Sequence, residues 1–563
     1  MNAKLGAFDP GQSLREALSL QRQGELREAE KIYARVLKSA PDNFDALNLL
    51  GGVKLQQGRF GEAERLFRAA VKANPRVAAG WSNLGQALHA LKRAPEALEC
   101  LDRARALAPD DVAIVNQRAN VLLSLQRPRD ALAEFQIVLG RMPRHVEARL
   151  NSGLAQAALG LPELALAEFD TALALAPGHP VAHYNRGVAL ISLGRYADAV
   201  AANDGALAAA PEHANAWLNR GKALAQLRRF DEAIASYDQA IALRKDFSDA
   251  HFNRALALLT LDRYAQGFTD YEWRWRRTGM APQQSRGRPL WLGEYPLQRR
   301  TILLHAEQGL GDTIQFARYA PALAARGAKV VLEVQGELQS LLSRLDGIDA
   351  VIARGEAPPP FDVHCPLGSL PLALKTEPST VPAQIPYLTA DDAAVTKWSA
   401  RIGALPRPRV ALAWSGNASH DNDRNRSIAL SRLAPLLSAP ASFVSIQREV
   451  RDSDAAPLAA EKRVMHVGGE LDDFSDTAAV LAHCDLVIAV DTAAAHLAGA
   501  MGRPIWVLVP FAPDWRWGLD GEITPWYPTA RLFRQTSPGD WDSVIARVGA
   551  ELNHLIGENG AGR

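Results

Sequence analysis

Three short stretches of this chain hold residue types that could act on a substrate. The first, HAEQGLGDTIQFARYAPALAARG, runs from His305 to Gly327. It reads as a strand end, a turn pinched by Gly309 and Gly311, and an amphipathic helix that begins at Asp312. A dinucleotide site is a poor fit. Ile314 stands where the third glycine of a GxGxxG would fall, and a carboxylate facing a pyrophosphate across a few ångström repels it. Asp312 is then either a helix cap or a general base. The second stretch, LVIAVDTAAAHLAGAMGRP, gives a strand, then Asp491-Thr492, then a helix opening in small residues. Its first N–H groups, at Thr492, Ala493 and Ala494, would point at a ligand, and a helix N-terminus attracts phosphate. His496 follows one turn in. The third stretch, WSGNASHDNDRNRSIALSRL, also follows a strand and brings Arg424 and Arg426 toward the same edge. The DND at Asp421 to Asp423 sits in a basic loop and reads as loop-ordering rather than as a metal pair.

The elements that must hold these residues alternate in type. From about residue 299 the order is TILLHAE, a helix, KVVLEVQ, LQSLLSRL and DAVIA. A Pro-rich break follows, and a second series starts at Arg409 with RVALAWSG, SFVSIQ, DLVIAVD and PIWVLVP among its strands. Strands apolar on both faces mean parallel sheets covered by helices. Two such series predict two Rossmann-like lobes, with ligands between them at the C-terminal strand edges. The boundaries expected are 299–390 for the first lobe and 391–550 for the second, after a Gly/Pro/Gln-rich linker at 283–298. The segment PFAPDWRWGLDGEITPWYP packs Trp515, Trp517, Trp526 and Tyr527 into a turn-rich stretch. These aromatics either stack on a sugar or base, or close the core of the lobe.

Residues 10–282 repeat with a period of 34. Small residues recur at Ala17, Gly51, Gly85, Ala119, Gly153, Gly187, Gly221 and Ala255. Alanines recur twelve positions later, from Ala29 to Ala233, and prolines close the copies at Pro41, Pro75, Pro109, Pro143, Pro177 and Pro211. Small residues let two helices cross closely, and proline ends the second helix. This is the tetratricopeptide pattern, in about eight copies with the last degenerate. It predicts an α-solenoid whose first helices line a groove. Position six of those helices reads Asn83, Gln117, Asn151, Asn185, Asn219 and Asn253. An amide both donates and accepts, so this row either grips the peptide groups of an extended acceptor chain or bonds between helices. The row resembles the asparagine ladder of the protein O-linked N-acetylglucosamine transferases. Arg118, Arg186, Arg220 and Arg254 follow four of the six and either add positive potential or form a solvated face.

Composition narrows the function classes. Lys+Arg is 63 and Asp+Glu 62 in 563 residues, a balance that does not suit a dedicated nucleic-acid binder. Cys100, Cys365 and Cys484 lie far apart and form no CxxC pair, which fits a reducing cytoplasm. No apolar run reaches membrane-spanning length, and the first residues carry no signal-peptide core. A soluble, cytoplasmic protein is expected.

GLGDTIQ and VDTAAAHLAGAMGRP, backed by the loop ending RNRSI, resemble the lipopolysaccharide heptosyltransferases, which have the two-lobed GT-B fold. Tetratricopeptide repeats joined to such a domain resemble a known bacterial architecture. The resemblance implies an inverting glycosyltransferase using a nucleotide-sugar donor, with Asp312 as general base. It places the donor's phosphates at Asp491, Thr492 and His496. The family's glycine is here Ala493. Its phosphate-binding lysine is replaced by Arg426, and its acidic nucleoside contact by Gln447 or Arg448. The donor therefore need not be ADP-heptose. No cofactor or metal is expected. The acceptor expected is a protein held by the repeats, with flagellin or another surface protein as a setting by analogy. The alternatives are a transferase acting on an envelope saccharide and a scaffold with a decayed transferase domain.

Overall fold

The computed structural model describes residues 9–277, 286–420 and 422–561. Asp421 and the first three residues of the expected linker, 283–285, lie outside them. The chain divides into two compact units, 1–219 and 220–563.

Sixteen consecutive helices among the described residues, from Pro10–Arg22 to Tyr264–Tyr271, form the tetratricopeptide solenoid. First helices begin at Pro10, Phe44, Ala78, Val112, Val146 and Pro180, keeping the 34-residue step of the sequence. The small residues sit where predicted. A Cβ on Gly153 would fall 2.6 Å from the Phe169 ring of the paired helix. Second helices stop short of the prolines: Leu26–Ser39 closes at Ala40, just before Pro41. The eighth pair is cut down. Its second helix ends at Tyr271 and passes into a 3-10 turn, Glu272–Arg276.

The 220–563 unit adds two parallel sheets to the last repeats. The first contains β1 (Thr301–His305), β2 (Lys329–Val334), β3 (Ala350–Ala353) and β4 (Val363–Pro366) in the order β3-β2-β1-β4. The second contains β5 (Arg409–Ala413), β6 (Ser442–Ser445), β7 (Val464–His466), β8 (Leu486–Val490), β9 (Ile505–Val509) and β10 (Ala530–Arg534). Its order is β10-β9-β8-β5-β6-β7. Each sheet reverses direction of travel beside its first strand, between β1 and β4 and between β5 and β8. Such switch points open a crevice at the C-terminal strand ends. The fold class read from the sequence, an α-solenoid followed by α/β lobes, is the one observed.

One apolar core runs through the first lobe and much of the second, and it includes Tyr264, Phe268 and Tyr271 of the last repeat. The outer face of the second sheet packs separately under the C-terminal helix through Trp541, Val544, Val548 and Leu552.

Candidate functional site

The glycine turn leaves the end of β1 at the first switch point. His305 pairs in register with Glu333 on one side and Pro366 on the other. The helix Leu310–Ala317 then begins, with Gly309 at its N-cap. Asp312 does cap that helix: its Oδ2 accepts from the Gly309 N–H at 3.1 Å. Its Oδ1 accepts from Nη2 of Arg516. The side chain stays partly open, at 25% exposure.

The loop before the turn is held from two sides. Gln335, at the end of β2, donates to the Gln308 carbonyl at 2.8 Å and accepts from the Thr313 hydroxyl at 2.9 Å. From the last repeat, the Tyr271 hydroxyl bonds the Gln308 side chain at 2.9 Å. Arg274, fully buried, donates to Glu307 at 3.1 Å, Ser369 at 2.7 Å and Glu272 at 2.6 Å. The Glu307 carboxylate also accepts the Gly368 N–H at 3.1 Å. Burial holds the Glu307 carboxyl above its ordinary pKa, against the pull of Arg274.

The second lobe supplies the opposite wall. Asp491 and Thr492 follow β8 at the second switch point, and the helix Ala493–Ala500 starts there. The Thr492 side chain makes no cap hydrogen bond to that helix, and the first N–H groups of a helix have no partner within it, a setting that suits an anion. Arg426 reaches over from the loop after β5 and donates to the Asp491 carbonyl at 2.9 Å. Asp423 anchors that loop, taking the Ser427 hydroxyl at 2.7 Å and an ion pair from Arg451.

The two walls touch. A Cβ on Gly311 would lie 2.8 Å from Cδ2 of His496 and 3.4 Å from Cα of Ala493. Gly311 is thus required by close approach. Asp312 is the next residue of the same helix.

The expected site residues divide by what they do. Gly309, Gly311, Asp312, Arg426, Asp491, Thr492, Ala493 and His496 are gathered at this junction. His496 departs from the expectation of an open phosphate ligand. It is buried under Gly311, its Nδ1 lies 2.8 Å from the Tyr527 hydroxyl, and its ring stacks on Trp517. Burial and the nearby Arg516 hold it well below the ordinary histidine pKa, so the ring is neutral. Gln447 also departs. Its Oε1 accepts from the Trp414 and Ser415 N–H groups, each at 3.1 Å, and its Nε2 donates to the carbonyls of Ser415 and Glu449 at 2.9 and 3.0 Å. With two bonds accepted and two donated, that amide ties loops together and has nothing left for a nucleoside. Trp515, Trp517, Trp526 and Tyr527 are all buried, so they close the core.

Arg516 escaped the sequence reading. It lies almost buried between Asp312, Asp514 and Gln315. Its one sequence signal is an arginine flanked by tryptophans in DWRW.

Among the amides of the repeats, Asn83 donates to Asn48 at 2.9 Å, Gln117 accepts from Ser82 at 2.6 Å and Asn151 donates to Asn120 at 2.9 Å. These three bond to a neighbouring repeat. Asn253 donates to the Asp249 carbonyl at 2.7 Å. Asn185 lines a small cleft with Leu154, Pro162 and Val188, and Asn219 is half-buried. The arginines beside the row are used within the array: Arg118 by Asp102 and Glu134, Arg186 by Asp170, Arg254 by Asp238 and Asp270, and Arg220 by the Ser236 hydroxyl.

Known proteins resemble the chain in two parts. Tetratricopeptide repeat models match residues 20–76, 53–112 and, in overlapping segments, 116–277. The glycosyltransferase family 9 (heptosyltransferase) model matches residues 447–509, a window that holds Asp491, Thr492 and His496 but neither Asp312 nor Arg426. Protein FlbA of Caulobacter vibrioides is 30% identical over 289 residues, covering 46% of this chain and 48% of that protein. The match therefore spans about half the length of that relative. Among solved structures, the APC/C hetero-tetramer Cut9-Hcn1 matches at 19% identity and TM-score 0.36, over 46% of this chain and 51% of that one. A tetratricopeptide repeat protein from Parabacteroides merdae matches at 18% identity and TM-score 0.36, over 44% and 98%. Among the described residues no helix is long and apolar enough to cross a membrane.

Proposed function

We propose that this tetratricopeptide-repeat protein, joined to a unit that resembles the family 9 glycosyltransferases, transfers a sugar from a nucleotide-sugar donor to a hydroxyl of a protein held by the repeats. The observation that carries the reading is the contact of Gly311 with Ala493 and His496. It sets a partly exposed carboxylate, Asp312, beside an uncapped helix N-terminus, where the two switch-point crevices of the lobes meet.

The chemistry follows from that placement. The acceptor hydroxyl oxygen attacks the anomeric carbon and gives its proton to Asp312. The bond from that carbon to the diphosphate breaks, and its electron pair goes to the leaving oxygen. The charge is met by the N–H groups at the start of the Ala493–Ala500 helix and by Arg426. Base and leaving group on opposite sides of the sugar invert the anomeric centre. Tetratricopeptide arrays are protein-interaction folds, which supports a polypeptide acceptor. The three inter-repeat amide bonds leave each of those amides with further donors or acceptors for a peptide.

The test is intact-protein mass spectrometry of surface proteins, flagellin included, from cells with and without this chain. A mass increase of one glycosyl residue on an acceptor that the isolated repeats also bind is expected. In a reconstituted reaction Asp312→Asn should cost about 10²–10⁴ in turnover, as loss of a general base does. An unchanged surface proteome would overturn the protein-acceptor reading. Near-normal turnover in Asp312→Asn would reduce Asp312 to its cap.

A further inference from the structure

Arg516 is held on three edges by groups of different kinds. Nε donates to Gln315, which is fully buried, and Nη1 donates to Asp514 at 2.9 Å. Asp514 is itself fixed, accepting the Arg516 N–H at 3.0 Å to cap the turn Trp515–Trp517. The loop that follows is pinned as well. Arg534 donates to the carbonyls of Gly518 and Gly521 at 2.8 and 2.7 Å, and Arg228 donates to that of Leu519 at 2.9 Å. The head of Arg516 therefore has two settled partners and one contested one. Nη2 is spent on Asp312, whose other oxygen already takes the Gly309 N–H. Each oxygen of the proposed base already accepts one hydrogen bond before any acceptor arrives.

A better partner for Nη2 comes with the donor. A diphosphate at the uncapped helix start lies next to Gly311, because Ala493 is in contact distance of it, and so lies beside Asp312. It carries more charge than a single carboxylate, and arginine forks match phosphate oxygens well. Arg426 reaches the same edge from the other side.

We propose that Arg516 is a second diphosphate-binding cation, and that its Nη2 exchanges Asp312 for a phosphate oxygen when the donor binds. The exchange takes the guanidinium cation off Asp312, so the carboxylate competes best for the acceptor's proton once the leaving group is in place. Nε and Nη1 keep Gln315 and Asp514 throughout. This inference rests on the nucleotide-sugar reading above and adds to it a coupling between donor binding and the base.

The coupling has a sign that calorimetry can read, using ADP, GDP and UDP as probes on the full chain. Removing the competing carboxylate should tighten binding: Asp312→Asn is expected to gain about tenfold or more, the worth of one charge-assisted hydrogen bond. Arg516→Gln should weaken binding, and the gain from Asp312→Asn should vanish in the double variant. Arg516→Lys, which keeps the charge and loses the fork, provides the same cycle if Arg516→Gln fails to fold, and the gain should shrink there too. An unchanged affinity in Asp312→Asn overturns the exchange. A gain that persists undiminished beside the Arg516 substitutions also overturns it, because the carboxylate would then act by plain repulsion. If none of the three nucleotides binds wild type or Asp312→Asn at millimolar concentration, the nucleotide-sugar reading falls and takes the exchange with it.

Discussion

Asp491 is a buried carboxyl whose chemistry depends on its surroundings. Burial, and then the neighbouring Asp514, push its carboxyl up to about 6, against the pull of Arg426 and Arg516. A raised carboxyl favours the protonated native state. Its contribution to stability is present below the ordinary value of 3.8 and is lost as pH rises through about 6. Asp491→Asn, which keeps the shape without the charge, should therefore melt at a higher temperature than wild type at pH 7.5. The difference should close as pH falls toward 4. Thermal melts of both proteins across that range check it, and an equal offset at every pH would remove the buried charge as its cause. The positions of Asp491 and Asp312 at strand-to-helix turns were legible in the sequence because each follows an apolar strand at a turn into a small-residue or glycine-pinched helix. Arg516 was not, because its role arises from a partner 204 residues away in the chain. Gln447 was misread for the converse reason. Three of the four bonds on its amide go to backbone groups of Trp414 and Ser415, just past β5 and more than 30 residues away, and nothing in SIQREV announces them.

Elements were more legible than side chains. The 34-residue register located helix pairs because small residues and prolines mark helix crossings and ends, and these are local signals. Alternation of apolar strands with helices located both sheets. What the pattern did not carry is how closely two elements meet, and Gly311 shows the consequence. Within a helix, alanine is preferred to glycine by about 1 kcal/mol, so propensity alone predicts that Gly311→Ala stabilises. The structure predicts the opposite, since the added methyl would stand 2.8 Å from His496 and 3.4 Å from Ala493. Forcing a methyl into a packed contact costs about 1–3 kcal/mol, and here it would wedge Asp312 away from the Ala493–Ala500 helix. We expect Gly311→Ala to lower the melting temperature and to cut turnover by about 10² or more, as small misplacements of reacting groups do. Denaturant melts with glycosyl-transfer rates on the same preparation test both. A stabilised and active Gly311→Ala would show that the turn and helix are not seated on each other as described.

At the scale of the molecule, sequence period and packing put the boundary in different places. The repeat period runs to about 282 and suggests that the α/β lobes begin after it. Yet the compact unit begins at 220, because the last repeat covers its apolar face with the lobes instead of with a ninth repeat. Tyr264 accepts from Nε1 of Trp526 at 3.2 Å and meets Trp515 edge-on at 6.1 Å between ring centres, while Phe268 meets Trp515 at 5.7 Å. Arg274 binds Glu307 just ahead of the glycine turn. A fragment 283–563 would lose all of these and bare Trp515 and Trp526. Each large aromatic is worth about 1.5–3 kcal/mol of burial, and a domain's whole stability is only about 5–15 kcal/mol. Such a fragment should have no cooperative melt and should bind no nucleotide. A fragment starting at Ala214, where the helix Ala214–Gln226 begins, keeps the buttress and should melt cooperatively and bind nucleotide with wild-type affinity. It should modify its acceptor poorly at low concentration, because the six earlier repeats no longer raise the local acceptor concentration by the roughly 10²–10⁴ that tethering gives. Near-ultraviolet circular dichroism and calorimetry on the two fragments decide the matter. A cooperatively folded 283–563 would return the boundary to the one that the repeat period suggests and would make the last repeat a neighbour of the lobes instead of a part of their unit.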